Sequence, residues 1–223
     1  GSPIHFFFGS EDGFDVCQRP GLRCRQDAFS NARGSPIKQN KIRGPSSSPA
    51  QVYGVPDERE VVRLLVTGGG GFIGAHTAEI ALRSGHEVTV LDDLSTGLAH
   101  RFASLADAGA RTVLGDIRDP EARADALEGV QAVVHLAAQG SVPRSVEDPE
   151  ATLDVNVRAT DALLEDMAER GLTRLVLASS AAVYGDLERV PHVEDMVGER
   201  QSPYADSKWA NEQTVLRRRQ EGW

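Results

Sequence analysis

Cysteine, methionine and tryptophan are scarce in this 223-residue chain, with two of each. Both cysteines, Cys17 and Cys24, lie near the N-terminus and read as incidental thiols, not as a disulfide framework. No Cys/His grouping elsewhere has metal-ligand spacing, so no metal is expected. Long apolar runs are missing as well. None approaches the roughly 20 residues that a membrane-spanning helix needs. Phe6-Phe7-Phe8 is too short for a signal-peptide core and has no basic residue before it. A cytoplasmic location is the expectation. A net charge of −9 argues against nucleic acid as the main partner.

What is present divides at about residue 60. Residues 1–59 hold eight Lys/Arg, six Asp/Glu and six of the eleven prolines. They show no period of 2 or 3.6 that could bury a face, and Gly44-Pro45-Ser46-Ser47-Ser48-Pro49 is linker-like. This stretch, which has no initiator Met, is expected to be a disordered or extraneous extension. Residues 60–223 carry sixteen Lys/Arg and twenty-seven Asp/Glu, and they are expected to form the folded domain.

The domain opens on Leu64-Leu65-Val66-Thr67-Gly68-Gly69-Gly70-Gly71-Phe72-Ile73-Gly74. A short apolar run before a glycine cluster reads as a buried parallel strand, a tight turn and the start of a helix. Gly68, Gly71 and Gly74 fall three apart. That spacing suits a sharp turn, close approach of backbone N–H groups to a pyrophosphate, and tight helix–strand packing. The helix should run from Phe72 to Ser84, with Ile73, Thr77, Ile80 and Ala81 as its apolar face. Glu87 to Leu91 is a second strand, and Asp92 follows it. An acidic residue about twenty positions past such a turn accepts hydrogen bonds from adenosine ribose hydroxyls and repels a 2′-phosphate, favouring NAD over NADP.

Further strands are expected at Thr112–Leu114, Gln131–Leu136 and Leu172–Ala178, with helices at about Pro149–Arg170 and Pro203–Arg219. The alternation predicts an α/β fold, a doubly wound parallel sheet with the ligand beyond the carboxyl ends of its strands. Leu153, Val157, Leu163, Leu164 and Met167 supply the apolar positions of the longer of those two helices.

Tyr204 and Lys208 lie four apart on the last helix and share one face. A nearby ammonium favours an ionised phenol, a usable general base. From residue 60 onward fifteen of the sixteen basic residues are arginine, and Lys208 is the single lysine. A compact ammonium and a planar guanidinium are not interchangeable, so the choice of lysine at this position is suggestive.

With these motifs in order, the segment from about Val62 to Trp223 resembles the N-terminal part of an extended short-chain dehydrogenase/reductase. It most resembles the nucleotide-sugar 4-epimerases of the NAD-dependent epimerase/dehydratase family. Thr67 to Gly74 is similar to the family's glycine motif. Leu91-Asp92-Asp93-Leu94-Ser95-Thr96-Gly97 matches its ribose loop, and Gly115-Asp116-Ile117 its adenine contact. His135-Leu136-Ala137-Ala138-Gln139 matches the segment beside the nicotinamide, and Asn156-Val157 the helix asparagine. Ala178 to Gly185 matches the serine segment, with Ser180 as its catalytic hydroxyl, and Tyr204-Ala205-Asp206-Ser207-Lys208 the catalytic pair.

The resemblance implies a Rossmann-like sheet binding NAD through these segments: Gly68, Gly71, Phe72, Ile73 and Gly74; Asp92, Asp93, Leu94, Ser95, Thr96 and Gly97; Asp116 and Ile117; Leu136, Ala137, Ala138 and Gln139; and Asn156, Tyr204 and Lys208. It implies a UDP-hexose substrate and a homodimeric full-length protein. In the implied reaction Tyr204 takes the proton of the sugar 4-hydroxyl, Lys208 supports it and holds a ribose hydroxyl, and Ser180 orients the same sugar oxygen. Hydride leaves C4 for NAD and returns to the other face. Ala181 and Ala182 stand where related 4,6-dehydratases carry an Asp-Glu pair, which favours epimerisation over water elimination. Ser141-Val142-Pro143-Arg144-Ser145 resembles the loop of epimerases acting on UDP-hexoses, N-acetylated ones included. A related NAD(P)-dependent nucleotide-sugar reductase or decarboxylase, and a non-catalytic NAD-binding piece, stay open. The family continues into a C-terminal substrate domain. The chain is therefore expected to be an N-terminal fragment, with an unpaired sheet edge and poor stability by itself.

Overall fold

A computed structural model of the chain describes residues 5–7, 61–193 and 196–223. Cys17, Cys24 and the linker-like run at 44–49 lie outside the described residues. Among those residues the sheet has six strands: β1 His5–Phe7, β2 Arg63–Thr67, β3 Glu87–Asp92, β4 Arg111–Leu114, β5 Ala132–His135 and β6 Leu175–Ala178. All pairings are parallel, in the order β1-β6-β5-β2-β3-β4.

The position of β1 departs from expectation. The edge of β6 that should have stood unpaired carries His5–Phe7, with His5 opposite Val176 and Phe7 opposite Ala178. Three residues are too few to show a period in sequence, and a parallel partner so distant in the chain leaves no local turn signal.

β2 and β3 are buried along most of their length because helices cover both faces of the sheet, as parallel strands require. Alternate residues feed two cores. Leu65, Leu91, Val113 and Val133 point to one side, against Ile117, Leu127, Leu163, Leu164 and Met167. Val66, Val88 and Val90 point to the other, against Ala75, Ala78, Ala81 and Leu105.

The helix after the glycine turn, α1 (Phe72–Arg83), buries a face that shares only Ala81 with the expected one. Gly74, Ala75, Ala78 and Ala81 are buried, whereas Ile73 and Ile80 are exposed. The axis lies so close to the sheet that only small residues fit. A Cβ on Gly74 would sit 2.0 Å from the Gly68 carbonyl oxygen.

Helices α2 (Ala99–Asp107) and α3 (Pro120–Ala126) follow β3 and β4. Asp119 caps α3 by accepting from the Glu121 N–H, with Pro120 at the first helical position. After β5 come α4 (Val142–Glu147), capped by Ser141, and α5 (Pro149–Leu153), capped by Asp148. A π turn at Asp154–Arg158 joins α5 directly to α6 (Ala159–Glu169). The stretch expected as one helix is continuous but widened at that point. Its inward face in the first half is polar, with Thr152, Asn156 and Thr160 all buried. The last helix, α7 (Pro203–Gln220), is capped by Ser202, whose Oγ accepts from Ala205 N at 3.1 Å.

Candidate functional site

The glycine turn is built as its sequence demands. Gly68 has φ +74°, a left-handed conformation, and a Cβ there would lie 2.9 Å from the Ala137 nitrogen. The turn is tied across the sheet by Gly68 N–H donating to the Leu91 carbonyl at 2.8 Å. Gly71 is the N-cap of α1, which has no side-chain cap, so the N–H groups of its first turn remain available to a ligand.

Asp92 ends β3 almost fully buried. Its Oδ2 accepts from Gly70 N at 2.9 Å and its Oδ1 from Leu94 N at 2.7 Å. One carboxylate therefore locks the glycine turn to the loop after β3. Leu94 pays for that bond with φ +58°. Asp93 holds the next residue of the loop, accepting from Ser95 N at 2.9 Å.

A cavity of about 340 Å³ lies beyond the carboxyl ends of β2, β3, β4 and β5, where a ligand is expected in an open parallel sheet. Its wall takes Gly68 and Gly71 from the turn, Asp92, Asp93, Ser95 and Thr96 from the β3 loop, and Asp116 and Ile117 after β4. Leu136, Ala137, Ala138 and Gln139 close it after β5. The remaining predicted residues lie off this wall. Gly74 is buried beneath the turn, and Phe72 is exposed with the Arg101 guanidinium 5.4 Å above its ring. Ile73, Leu94 and Gly97 are likewise outside the lining.

Two arginines that the sequence reading did not assign to the cofactor do line the cavity. Arg144 reaches it from α4. Arg118 clasps Asp116, its Nη2 standing 2.6 Å from Oδ2, and also reaches Asp154 at 3.2 Å. That clasp, above all the hydrogen bonds from the Arg118 side chain, holds the Asp116 carboxyl below the usual carboxylate range.

A buried polar network supports the floor of the cavity. Thr67 Oγ1 accepts from Leu136 N and Ala137 N, both at 3.1 Å, and lies 2.7 Å from His135 Nδ1. Thr160 Oγ1 donates to the Asn156 carbonyl at 2.7 Å and lies 2.9 Å from His135 Nε2. With the Thr160 proton committed, Nε2–H must donate to Thr160, and Nδ1 must accept from Thr67. His135 is thus a neutral imidazole of defined tautomer. Burial, with the charge of Lys208 adding to it, pushes its pKa down to about 3.

Asn156, 1% exposed, sits inside the π turn. Its Oδ1 accepts from Gln139 N at 2.7 Å, and its Nδ2 donates to Gln139 O at 3.2 Å and to Ser207 Oγ at 3.0 Å. It bridges the cavity wall to α7, the helix of Tyr204 and Lys208. π turns of this kind recur at functional sites.

Ser180, Tyr204 and Lys208 lie outside the wall of this cavity. Ser180 follows β6 in extended backbone, and its Oγ accepts from Ala182 N at 3.2 Å. Tyr204 is partly exposed one turn before Lys208. The Lys208 side chain is buried, and its Nζ donates to the Ala178 carbonyl at 3.2 Å, so α7 grips the strand that leads into Ser180. Burial lowers the Lys208 pKa to about 8.

The sequence pattern of the NAD dependent epimerase/dehydratase family matches residues 64–223. The chain belongs to that family. Within it, the chain is 41% identical over 152 residues to a UDP-glucose 4-epimerase of Neisseria meningitidis serogroup C, covering 66% of this chain and 45% of that protein. It is 42% identical over 151 residues to a UDP-glucose 4-epimerase of Streptomyces lividans, with the same coverage. Among solved structures of the family, a Thermus thermophilus UDP-glucose 4-epimerase in complex with NAD superposes with a TM-score of 0.66 at 39% identity, over 71% of this chain and 51% of that one. The chain thus spans about half the length of the relatives it matches.

Proposed function

We propose that this chain is the cofactor-binding and catalytic half of a nucleotide-sugar 4-epimerase that holds NAD and acts on a UDP-hexose. The observation that carries the reading is one cavity bringing the glycine turn, Asp92, Asp116 and the Leu136–Gln139 segment together at the strand ends, with Lys208 buried against the end of β6. The relatives named above are UDP-glucose 4-epimerases, and one of them was solved with NAD.

The residues present fit a dinucleotide. Gly68 lies against the Ala137 backbone, where only a residue without a Cβ fits, and both line the cavity, so the turn brings bare backbone to the wall where a pyrophosphate would lie. Asp92 would hold an adenosine ribose hydroxyl, and its negative charge disfavours a 2′-phosphate. Arg144 is placed to meet negative charge along the same wall. When bound, NAD supplies the reversible oxidation at the sugar C4 carbon.

The chain's own residues then have separate tasks. Tyr204 accepts the proton of the sugar 4-hydroxyl and returns it at the end of the cycle. Lys208 contributes the positive charge that favours the phenolate, and Ser180 donates a hydrogen bond to the same sugar oxygen. Ala181 and Ala182 offer no acid or base for eliminating water. Tyr204→Phe removes the proton acceptor and leaves the cavity wall intact. Turnover of UDP-hexose should drop by roughly 10³-fold or more, with NAD still bound at wild-type stoichiometry. A variant that epimerises at the wild-type rate refutes the assignment.

A further inference from the structure

Glu212 lies one helical turn beyond Lys208, as Lys208 lies one turn beyond Tyr204, so all three share one side of α7. Its carboxylate accepts a hydrogen bond from the Ser179 hydroxyl. Lys208 Nζ meanwhile donates to the carbonyl of Ala178. Helix α7 therefore takes hold of two consecutive residues, 178 by its backbone and 179 by its side chain, immediately before Ser180. The extended backbone of Ser180, with φ −151° and ψ 145°, passes that placement on to its own hydroxyl. Tyr204 rides on the same helix. The relative position of the Ser180 and Tyr204 hydroxyls is accordingly set where α7 meets the end of β6.

A half-buried carboxylate is a costly way to fill space, since burial works against its charge. The directional bond it makes to Ser179 is what an apolar residue of similar size would lack. An error of about 1 Å in such a placement can reduce turnover about a hundredfold without touching the reacting atoms.

We infer that Glu212 is a positioning residue that acts through Ser179 to fix the Ser180 hydroxyl relative to Tyr204. The inference rests on the C4 oxidation–reduction proposed above. It is tested in the full-length protein loaded with NAD, by measuring kcat and KM for UDP-glucose, NAD stoichiometry and Tm in a double-mutant cycle.

Glu212→Ala and Ser179→Ala should each lower kcat by roughly ten- to a hundredfold, with KM within about twofold and NAD fully retained. The double variant should lose no more than either single one, because the two groups act as one unit. Glu212→Gln, which keeps an acceptor oxygen at nearly the same place, should recover most of the loss. Glu212→Asp, shorter by one methylene and mild enough to fold, should not. The inference is overturned by losses that multiply in the double variant, by Gln and Asp behaving alike, or by a fall in Tm with kcat unchanged. A wild-type protein that retains NAD and epimerises no UDP-hexose overturns the C4 reading and this inference with it. An active wild type failing the cycle overturns the inference alone.

Discussion

Lys208 and His135 show how burial rather than identity sets what a titratable side chain can do here. Both are nearly inaccessible, and both have their charged forms disfavoured by desolvation. For Lys208 the outcome is a value of about 8, close enough to neutrality that the ammonium is present at pH 7 and lost soon above it. If that ammonium supports Tyr204, kcat should hold up to about pH 7.5 and fall as pH rises through about 8. A pH–rate profile on the NAD-loaded protein reads this directly, and a profile flat to about pH 10 would remove Lys208 from the mechanism. Arginine would not serve, because its planar guanidinium cannot place a compact ammonium on the Ala178 carbonyl. The singular lysine of an arginine-rich domain thus occupies a spot where side-chain size and shape matter.

At the scale of elements, the turn between β2 and α1 is tightly determined by its packing. Gly74→Ala would drive a methyl group into the Gly68 carbonyl, 2.0 Å away, forcing α1 off the sheet or the turn out of shape. The cost should be at least about 1–3 kcal/mol in chemical denaturation, accompanied by loss of NAD. Wild-type stability with full NAD binding would show that the turn tolerates displacement. This element was legible in the sequence because its constraints are steric and local: glycines three apart and an acidic residue at a fixed distance. The face of α1 was not legible. Counting apolar residues picks Ala81 correctly but favours Ile73 and Ile80 beside it, whereas close approach to Val66 and Val90 selects Ala75 and Ala78, which a hydrophobicity pattern undervalues. Of the inward polar stripe, Asn156 was legible through the family motif, whereas Thr152 and Thr160 beside it were not, for the opposite reason. Polar residues at helical spacing read as a solvated face, and only the strand-end network shows that Gln139, Ser207 and His135 satisfy them. Glu212 was hidden because its partner Ser179 is 33 residues away in sequence.

At the scale of the whole molecule, the neutral His135 couples folding to pH. Its folded value of about 3 lies below its ordinary 6.5, so the unfolded chain binds the extra proton first. Its contribution is fully present above about pH 6.5 and is lost as pH falls toward about 3, at a limiting slope of about 1.4 kcal/mol per pH unit. His135→Asn should flatten that acid limb in denaturant titrations between about pH 6.5 and 4, and an unchanged slope would assign the acid loss to other groups. No helix among the described residues is long and apolar enough to cross a membrane. The parallel order of the sheet followed from the alternation of strand and helix signals, but β1 beside β6 did not, since nothing in three residues specifies a partner so far along the chain.

The function proposed for this chain comes down to one chemical step, exchange of the configuration at C4 of a UDP-hexose through bound NAD. The measurement that tests it is incubation of the full-length protein, its NAD content quantified after denaturation, with UDP-glucose and separately with UDP-N-acetylglucosamine, followed by resolution of the C4 epimers. Conversion of at least one of these to its galacto epimer is expected, abolished by Tyr204→Phe. Stoichiometric NAD with no C4 epimer from either sugar would contradict it.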